Sequence, residues 1–140
     1  MNVSDSEIKQ ILSQYKKISV VGLSHDSTKP GQRVALYMRS KGYDLVGIRP
    51  GDQEVAGFKC YSDLQQVPAE YRQFVDVFRR PEHIPEVVDE VLRVGGVKVL
   101  WLQQGIMHPV AEKKAEDAGL KVISNRCLHL EYERCFGAGN

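Results

Sequence analysis

Cysteine is scarce in this sequence: Cys60, Cys127 and Cys135 form no CxxC pair and have no metal-ligand spacing. So sparse and odd a set argues against a disulfide framework, and a reduced, cytoplasmic protein with no metal site is expected. Long apolar runs are missing as well. None approaches the roughly 20 residues that a membrane span needs, and the opening Met1, Asn2, Val3, Ser4 and Asp5 do not read as a signal peptide. Neither sign of charge dominates: 19 basic against 18 acidic residues leave a net charge of +1. That balance excludes a whole-surface attraction to nucleic acid or membrane, so any anion site must come from a few local basic groups. Repeats, linkers and low-complexity segments are absent too. With 42% hydrophobic and 26% charged residues, an ordinary globular domain over 1–140 is expected, its residues 1–16 forming a helix packed on the rest.

What is present is a series of short apolar runs separated by helical patterns. Ser4 and Glu7 have the spacing of a capping box. Ile8, Ile11, Leu12 and Tyr15 then recur at helical intervals as far as Lys16. Ile18, Ser19, Val20 and Val21 read as a buried strand that breaks at Gly22. A polar loop over 23–29 leads through Pro30 and Gly31 into a helical pattern from Gln32, which stops near Lys41 and Gly42. Further strands are expected at 44–48, 74–78, 97–102 and 120–124. Helices are expected after Pro81, from Pro109 to Ala118 and from Cys127 to Phe136. Residues 54–61 read only as a short extended excursion before a helical turn at 62–67.

Strands alternating with single helices mean a parallel sheet with right-handed crossovers. The expected fold is α/β: a single Rossmann-like doubly wound parallel sheet of five strands, ordered 3-2-1-4-5, with helices on both faces. Ligands of such a sheet bind outside the strand carboxyl ends where the winding reverses, here expected between the first and fourth strands.

That edge collects residues 22–33, Arg49 with Pro50 and Gly51, Arg79 with Arg80 and Pro81, Gln103 with Gln104 and Gly105, and residues 124–127. A strand–loop–helix unit aims free N–H groups and the positive helix end at an anion, so the first loop is read as binding a phosphate-bearing nucleotide. Three of these segments set Arg at the end of a strand, and a planar guanidinium pairs bidentately with phosphate. Two departures from the dinucleotide fingerprint narrow the ligand. Gly22 is followed by Leu23, Ser24 and His25, with the next glycine only at Gly31, so GxGxxG is missing. Arg49 stands where an acidic residue would bind an NAD ribose. An Arg there favours an extra phosphate near the ribose, as in coenzyme A or NADP, over plain NAD.

Gly22-Leu23-Ser24 with Pro30 and Arg33-Val34-Ala35, then Gly42-Tyr43, Cys60-Tyr61, Trp101-Leu102-Gln103, Ala118-Gly119-Leu120 and Asn125-Arg126-Cys127 form an ordered pattern. In order and spacing it resembles the small stand-alone coenzyme A-binding proteins, which are similar to the amino-terminal domain of the succinate–CoA ligase alpha subunit. The resemblance runs from about Ile11 to Phe136. It implies that Ser24, His25, Lys29 and Arg33 hold the phosphates of coenzyme A. It also implies that Arg49, Pro50, Arg79, Arg80 and Pro81 flank the adenosine. Gln103, Gln104, Gly105, Asn125, Arg126 and Cys127 would face the pantetheine. The pattern departs from the ligase at Asp52, where the ligase has a basic residue, so the phosphate contact falls to Arg49 or Arg33. The ligase's phosphorylated histidine lies in a second domain with no counterpart here.

Ordinary roles stand beside these. Gly22 could simply end a strand, and Arg33 could be a solvated helix residue. Arg79 and Arg80 are adjacent and point opposite ways, so at most one is a contact. His25, His83, His108 and His129 read as surface or capping residues. Cys127 opens a helix, where a thiolate gains from the dipole, but no motif sets a base beside it, so packing or helix initiation is favoured. Cys60, Cys135, Trp101 and Tyr132 are taken as structural. The leading expectation is non-catalytic binding of coenzyme A or an acyl-CoA. The rivals are an NADP-dependent reductase, or an acyl-CoA thiol enzyme using Cys127 with His25, His108 or Tyr132 as proton donor. Among partners, a small nucleotide ligand is expected, and a homodimer or a regulatory protein partner stays open.

Overall fold

The computed structural model describes residues 3–137, so the outermost residues of the expected domain and the first two of its opening segment lie outside the described ones. Helix α1 (Asp5–Gln14) begins at Ser4, whose Oγ accepts the Glu7 N–H at 3.2 Å, half of the capping box read from the sequence. Strand β1 (Lys17–Val21) leads through the polar loop to α2 (Pro30–Ser40), then β2 (Asp44–Ile48). A tight hairpin of β3 (Glu54–Val55) and β4 (Phe58–Tyr61) precedes a 3₁₀ turn (Leu64–Gln66) and a short helix, α3 (Ala69–Arg72). The remainder alternates: β5 (Phe74–Val77), α4 (Ile84–Val94), β6 (Val99–Leu102), α5 (Pro109–Asp117), β7 (Lys121–Ile123) and α6 (Leu128–Phe136).

The sheet runs β3-β4-β2-β1-β5-β6-β7, parallel throughout except for the β3–β4 hairpin. The Rossmann-like class holds, with seven strands rather than five. The expected order is corrected at one strand. Phe74–Val77 does not lie beyond β2; it pairs with β1, Ser19 opposite Val75 and Val21 opposite Val77. The place beyond β2 belongs to Phe58–Tyr61, which pairs Gly47 with Cys60 and Ile48 with Tyr61. Only Phe58 and Cys60 of that strand are buried, a run too short for the period-two pattern to separate from a loop. The winding therefore reverses between β1 and β5, not between β1 and the strand at 99–102.

Side chains alternate across the strands. Ile18, Val20, Phe74, Trp101 and Ile123 pack under α1, α2 and α6. Val75, Val77, Leu100 and Leu102 pack under α4 and α5. Near-continuous apolar strands are what a sheet covered on both faces requires. No helix among the described residues is long and apolar enough to cross a membrane.

Candidate functional site

The site grows from one close approach. Gly22 ends β1 at φ +86°, a conformation that glycine adopts without steric cost. A Cβ there would meet the Phe78 carbonyl oxygen at 2.7 Å, and one on Gly31 would meet the Gly22 oxygen at 2.7 Å. Two glycines thus let the amino end of α2 press against the ends of β1 and β5, and the intervening loop is pushed outward. Pro30 occupies the first turn of α2, and the Lys29 side chain makes no cap hydrogen bond.

The loop is stapled from within. Gln32 is buried, and its Nε2 donates to the carbonyls of Ser24 at 3.0 Å and His25 at 3.1 Å. Ser24 Oγ accepts the Asp26 N–H at 3.0 Å. Asp26 in turn accepts the Thr28 hydroxyl at 2.7 Å and its N–H at 2.9 Å. Those two bonds, aided by the Lys29 charge, hold Asp26 below the usual carboxylate range.

Two cavities open beside this loop. The first, of about 690 Å³, is lined by Gly22, Ser24, Lys29 and Arg33 of the first segment, and by Arg49, Gln103, Gln104 and Cys127 from other strand ends. The second, of about 560 Å³, shares Gly22 and Arg49 with the first and adds Pro50 and Arg79. Their charge differs. Lys29, Arg33 and Arg49 line the first with no carboxylate, whereas Asp63, Glu86 and Glu90 line the second against Arg49 and Arg79.

Six expected residues stand elsewhere. His25 turns from the cavity and its Nε2 meets Asp52 Oδ1 at 3.1 Å. Arg80 is exposed, and Pro81 opens a 3₁₀ turn (Pro81–His83), so Arg79 alone of the adjacent pair faces a cavity. Gly105 donates its N–H to Asn125 Oδ1 at 2.8 Å, and Asn125 takes φ +59°. Gly105 and Asn125 therefore tie the loops after β6 and β7 together rather than line the cavity. Arg126, implied for the pantetheine side, directs Nη1 to Glu131 at 3.1 Å, and its carbonyl accepts the indole N–H of Trp101 at 2.8 Å.

Arg49 is present but engaged. Its Nε donates to Asp52 Oδ2 at 2.8 Å and its Nη1 to the Leu23 carbonyl at 2.9 Å. Hydrogen bonding from Arg49, then from His25, holds the Asp52 carboxyl below its ordinary range. Arg33, by contrast, is exposed, and its side chain makes no hydrogen bond or ion pair among the described residues. Cys127 is half-buried at the amino end of α6. Capping there comes from Gln103, whose Oε1 accepts the Leu128 N–H at 3.2 Å, leaving the thiol to face the cavity.

Sequence reasoning missed most of the apolar lining: Val34, Phe78, Ile106 and Leu130. It also missed His129, which lines the cavity, stacks on Tyr37 with ring centroids 3.5 Å apart and pairs with Glu133 at 3.3 Å. Phe78 carries the one signal that could have found it. It lies one residue past a buried strand, where a side chain is at the sheet's edge rather than inside it.

Residues 16–133 match the family described as CoA binding domain. The chain belongs to that family. The chain is 34% identical over 131 residues to the uncharacterized protein YneT of Bacillus subtilis, covering 94% of this chain and 96% of that one. The solved hypothetical protein from Pyrococcus horikoshii OT3 superposes with a TM-score of 0.88 at 36% identity, covering 97% of this chain and 94% of the other. The ADP-forming acetate–CoA ligase I of Archaeoglobus fulgidus is 25% identical over 124 residues, 82% of this chain but only 18% of that protein. The kinship read from Gly22-Leu23-Ser24 through Asn125-Arg126-Cys127, to small CoA-binding proteins and to CoA-ligase domains, is correct.

For a CoA-binding domain the geometry is apt. A cationic cavity at a helix amino end suits a diphosphate. Apolar Val34, Phe78, Ile106 and Leu130 suit an alkyl chain, and the second cavity extends the site to a ligand longer than either.

Proposed function

We propose that this CoA-binding domain holds coenzyme A or an acyl-CoA and performs no chemistry on it. The observation that carries the reading is the pair of neighbouring cavities sharing Gly22 and Arg49 at the reversal of the winding, only one of them purely cationic. In this reading the diphosphate lies at the amino end of α2 between Lys29 and Arg33, and the adenosine extends toward Arg49 and Pro50. The pantetheine runs past Gln103 and Gln104 toward Cys127. The non-catalytic part is supported by the Cys127 thiol, which has no hydrogen-bond partner among the described residues, whereas an activated nucleophile sits against its base.

Isothermal titration of the purified protein with CoA and, separately, with NADP tests the reading. CoA binding with a micromolar dissociation constant and negligible NADP binding is the expected result. NADP binding without CoA binding would replace it with the reductase reading. A second reading, acyl-CoA thiol chemistry at Cys127, has one observation in its favour: the thiol lines the same cavity. Its mark would be release of free CoA from an acyl-CoA by the native protein and none by Cys127→Ala; an acyl-CoA recovered intact from both removes it.

A further inference from the structure

Arg49 is the cation that the sequence offers to a phosphate on the ribose, yet its guanidinium is already held at two points. Nε donates to Asp52 and Nη1 to the Leu23 carbonyl. Asp52 is the group that decides the charge here. Its other oxygen meets His25 Nε2 at 3.1 Å, and its side chain is 27% exposed; the carboxylate lines neither cavity itself and acts on both through the Arg49 guanidinium. Beyond Arg49 the second cavity is acidic: Asp63, Glu86 and Glu90 face only Arg79 and Arg49. Arg79 itself approaches Glu86 at 3.9 Å. An anionic group entering that chamber meets carboxylates, while sugar hydroxyls and an exocyclic amine meet acceptors.

We propose that Asp52 is a specificity-determining residue that leaves this site blind to the ribose 3′-phosphate of coenzyme A, so that the ligand is read by its diphosphate and pantetheine alone. The inference rests on the coenzyme A reading of the site. The two ends of the ligand are then treated unequally. The diphosphate meets Lys29 and Arg33 free of carboxylates, whereas a phosphate near Arg49 competes with Asp52 for the same guanidinium. Nucleotide ligands that end in an unphosphorylated ribose, dephospho-CoA above all, become equal candidates for the natural occupant.

Parallel titrations of the native protein, Asp52→Asn and Asp52→Lys with CoA and with dephospho-CoA test this. For the native protein the two dissociation constants are expected to differ by less than about twofold, well under the roughly fivefold that an exposed ion contact can supply. Asp52→Asn, which removes the negative charge that competes for Arg49, is expected to tighten CoA relative to dephospho-CoA, and Asp52→Lys to do so further. A native preference for CoA of twofold or more overturns the proposal, as does a ratio that neither substitution moves. Thermal melts of the variants matching the native protein exclude misfolding as the cause. Binding of neither ligand by the native protein is a different failure: it removes the coenzyme A reading itself, and this inference with it.

Discussion

Arg33 projects from the second turn of α2 into the cationic cavity without a protein partner among the described residues, so its charge is available to a ligand. Arg49, on the wall of the same cavity, is bound to Asp52 and Leu23 and serves the fold first. The two arginines should separate in experiment. Arg33→Ala should leave the melting temperature unchanged and weaken CoA by roughly twofold to fivefold, since the lost contact is solvent-exposed. Arg49→Ala should lower the melting temperature, because it releases both the Leu23 carbonyl and Asp52. Titration and thermal melts of both variants check this, and equal behaviour of the two would contradict the assignment. Arg33 was legible as a candidate because a basic residue early in a helix after a strand is a local pattern. The engagement of Arg49 was not legible, since its partner Leu23 lies on another segment of the chain.

At the scale of elements, the loop before α2 depends on Gln32. One amide holds the Ser24 and His25 carbonyls and so fixes the wall of the first cavity. Gln32→Ala should cost about 1–2 kcal/mol, the range for losing a buried hydrogen-bonding partner. It should also weaken CoA more than Arg33→Ala does, because the loop loses its shape along with the contact. Urea unfolding followed by titration decides it; a stable variant with native affinity would mean that the loop is fixed by other means. Gly47 shows the same dependence within the sheet. A Cβ at that position would meet Cys60 Sγ and Leu23 Cδ2, both at 2.7 Å, so β2 can carry β4 and the loop together only as glycine. From the sequence, Gly47 was merely one residue of the strand at 44–48 and Gln32 merely the start of a helix. Each gained its role from a neighbour far along the chain.

Across the whole molecule, the least expected residue is Asp76, in the middle of β5 between Val20 and Trp101. It is buried, and neither of its oxygens has a hydrogen-bond partner among the described residues. Burial pushes its carboxyl well above the ordinary range, so the folded protein keeps it protonated where the unfolded chain ionises. The sign follows. A raised carboxyl contributes its full stability below the unfolded value of about 3.9 and loses it as pH rises toward the folded value, at up to about 1.4 kcal/mol per pH unit. Stability of the native protein relative to Asp76→Asn should therefore fall as pH rises above about 4. Urea unfolding at several pH values measures it, and parallel profiles for the two proteins would show that Asp76 titrates alike in both states.

The sequence by itself determined the periodicities, and with them the alternating strands and helices, the covered parallel sheet and the strand-end edge where the cavities open. These are local properties: β-branched runs, capping residues and glycine stops act within a few residues of themselves. The kinship to CoA-binding proteins was legible for the same reason, because Gly22, Pro30, Arg33 and Trp101 hold their spacing along the chain. Only the tertiary structure decided which strand adjoins β1. Phe58–Tyr61 is too short to announce itself, and strand pairing is a contact between distant segments. It also decided which basic residues are free. Position set several arginines at the edge, but Arg49 is held by Asp52 three residues on and by Leu23 across the fold, Arg79 approaches Glu86, and Arg33 lines the cavity with no side-chain partner among the described residues.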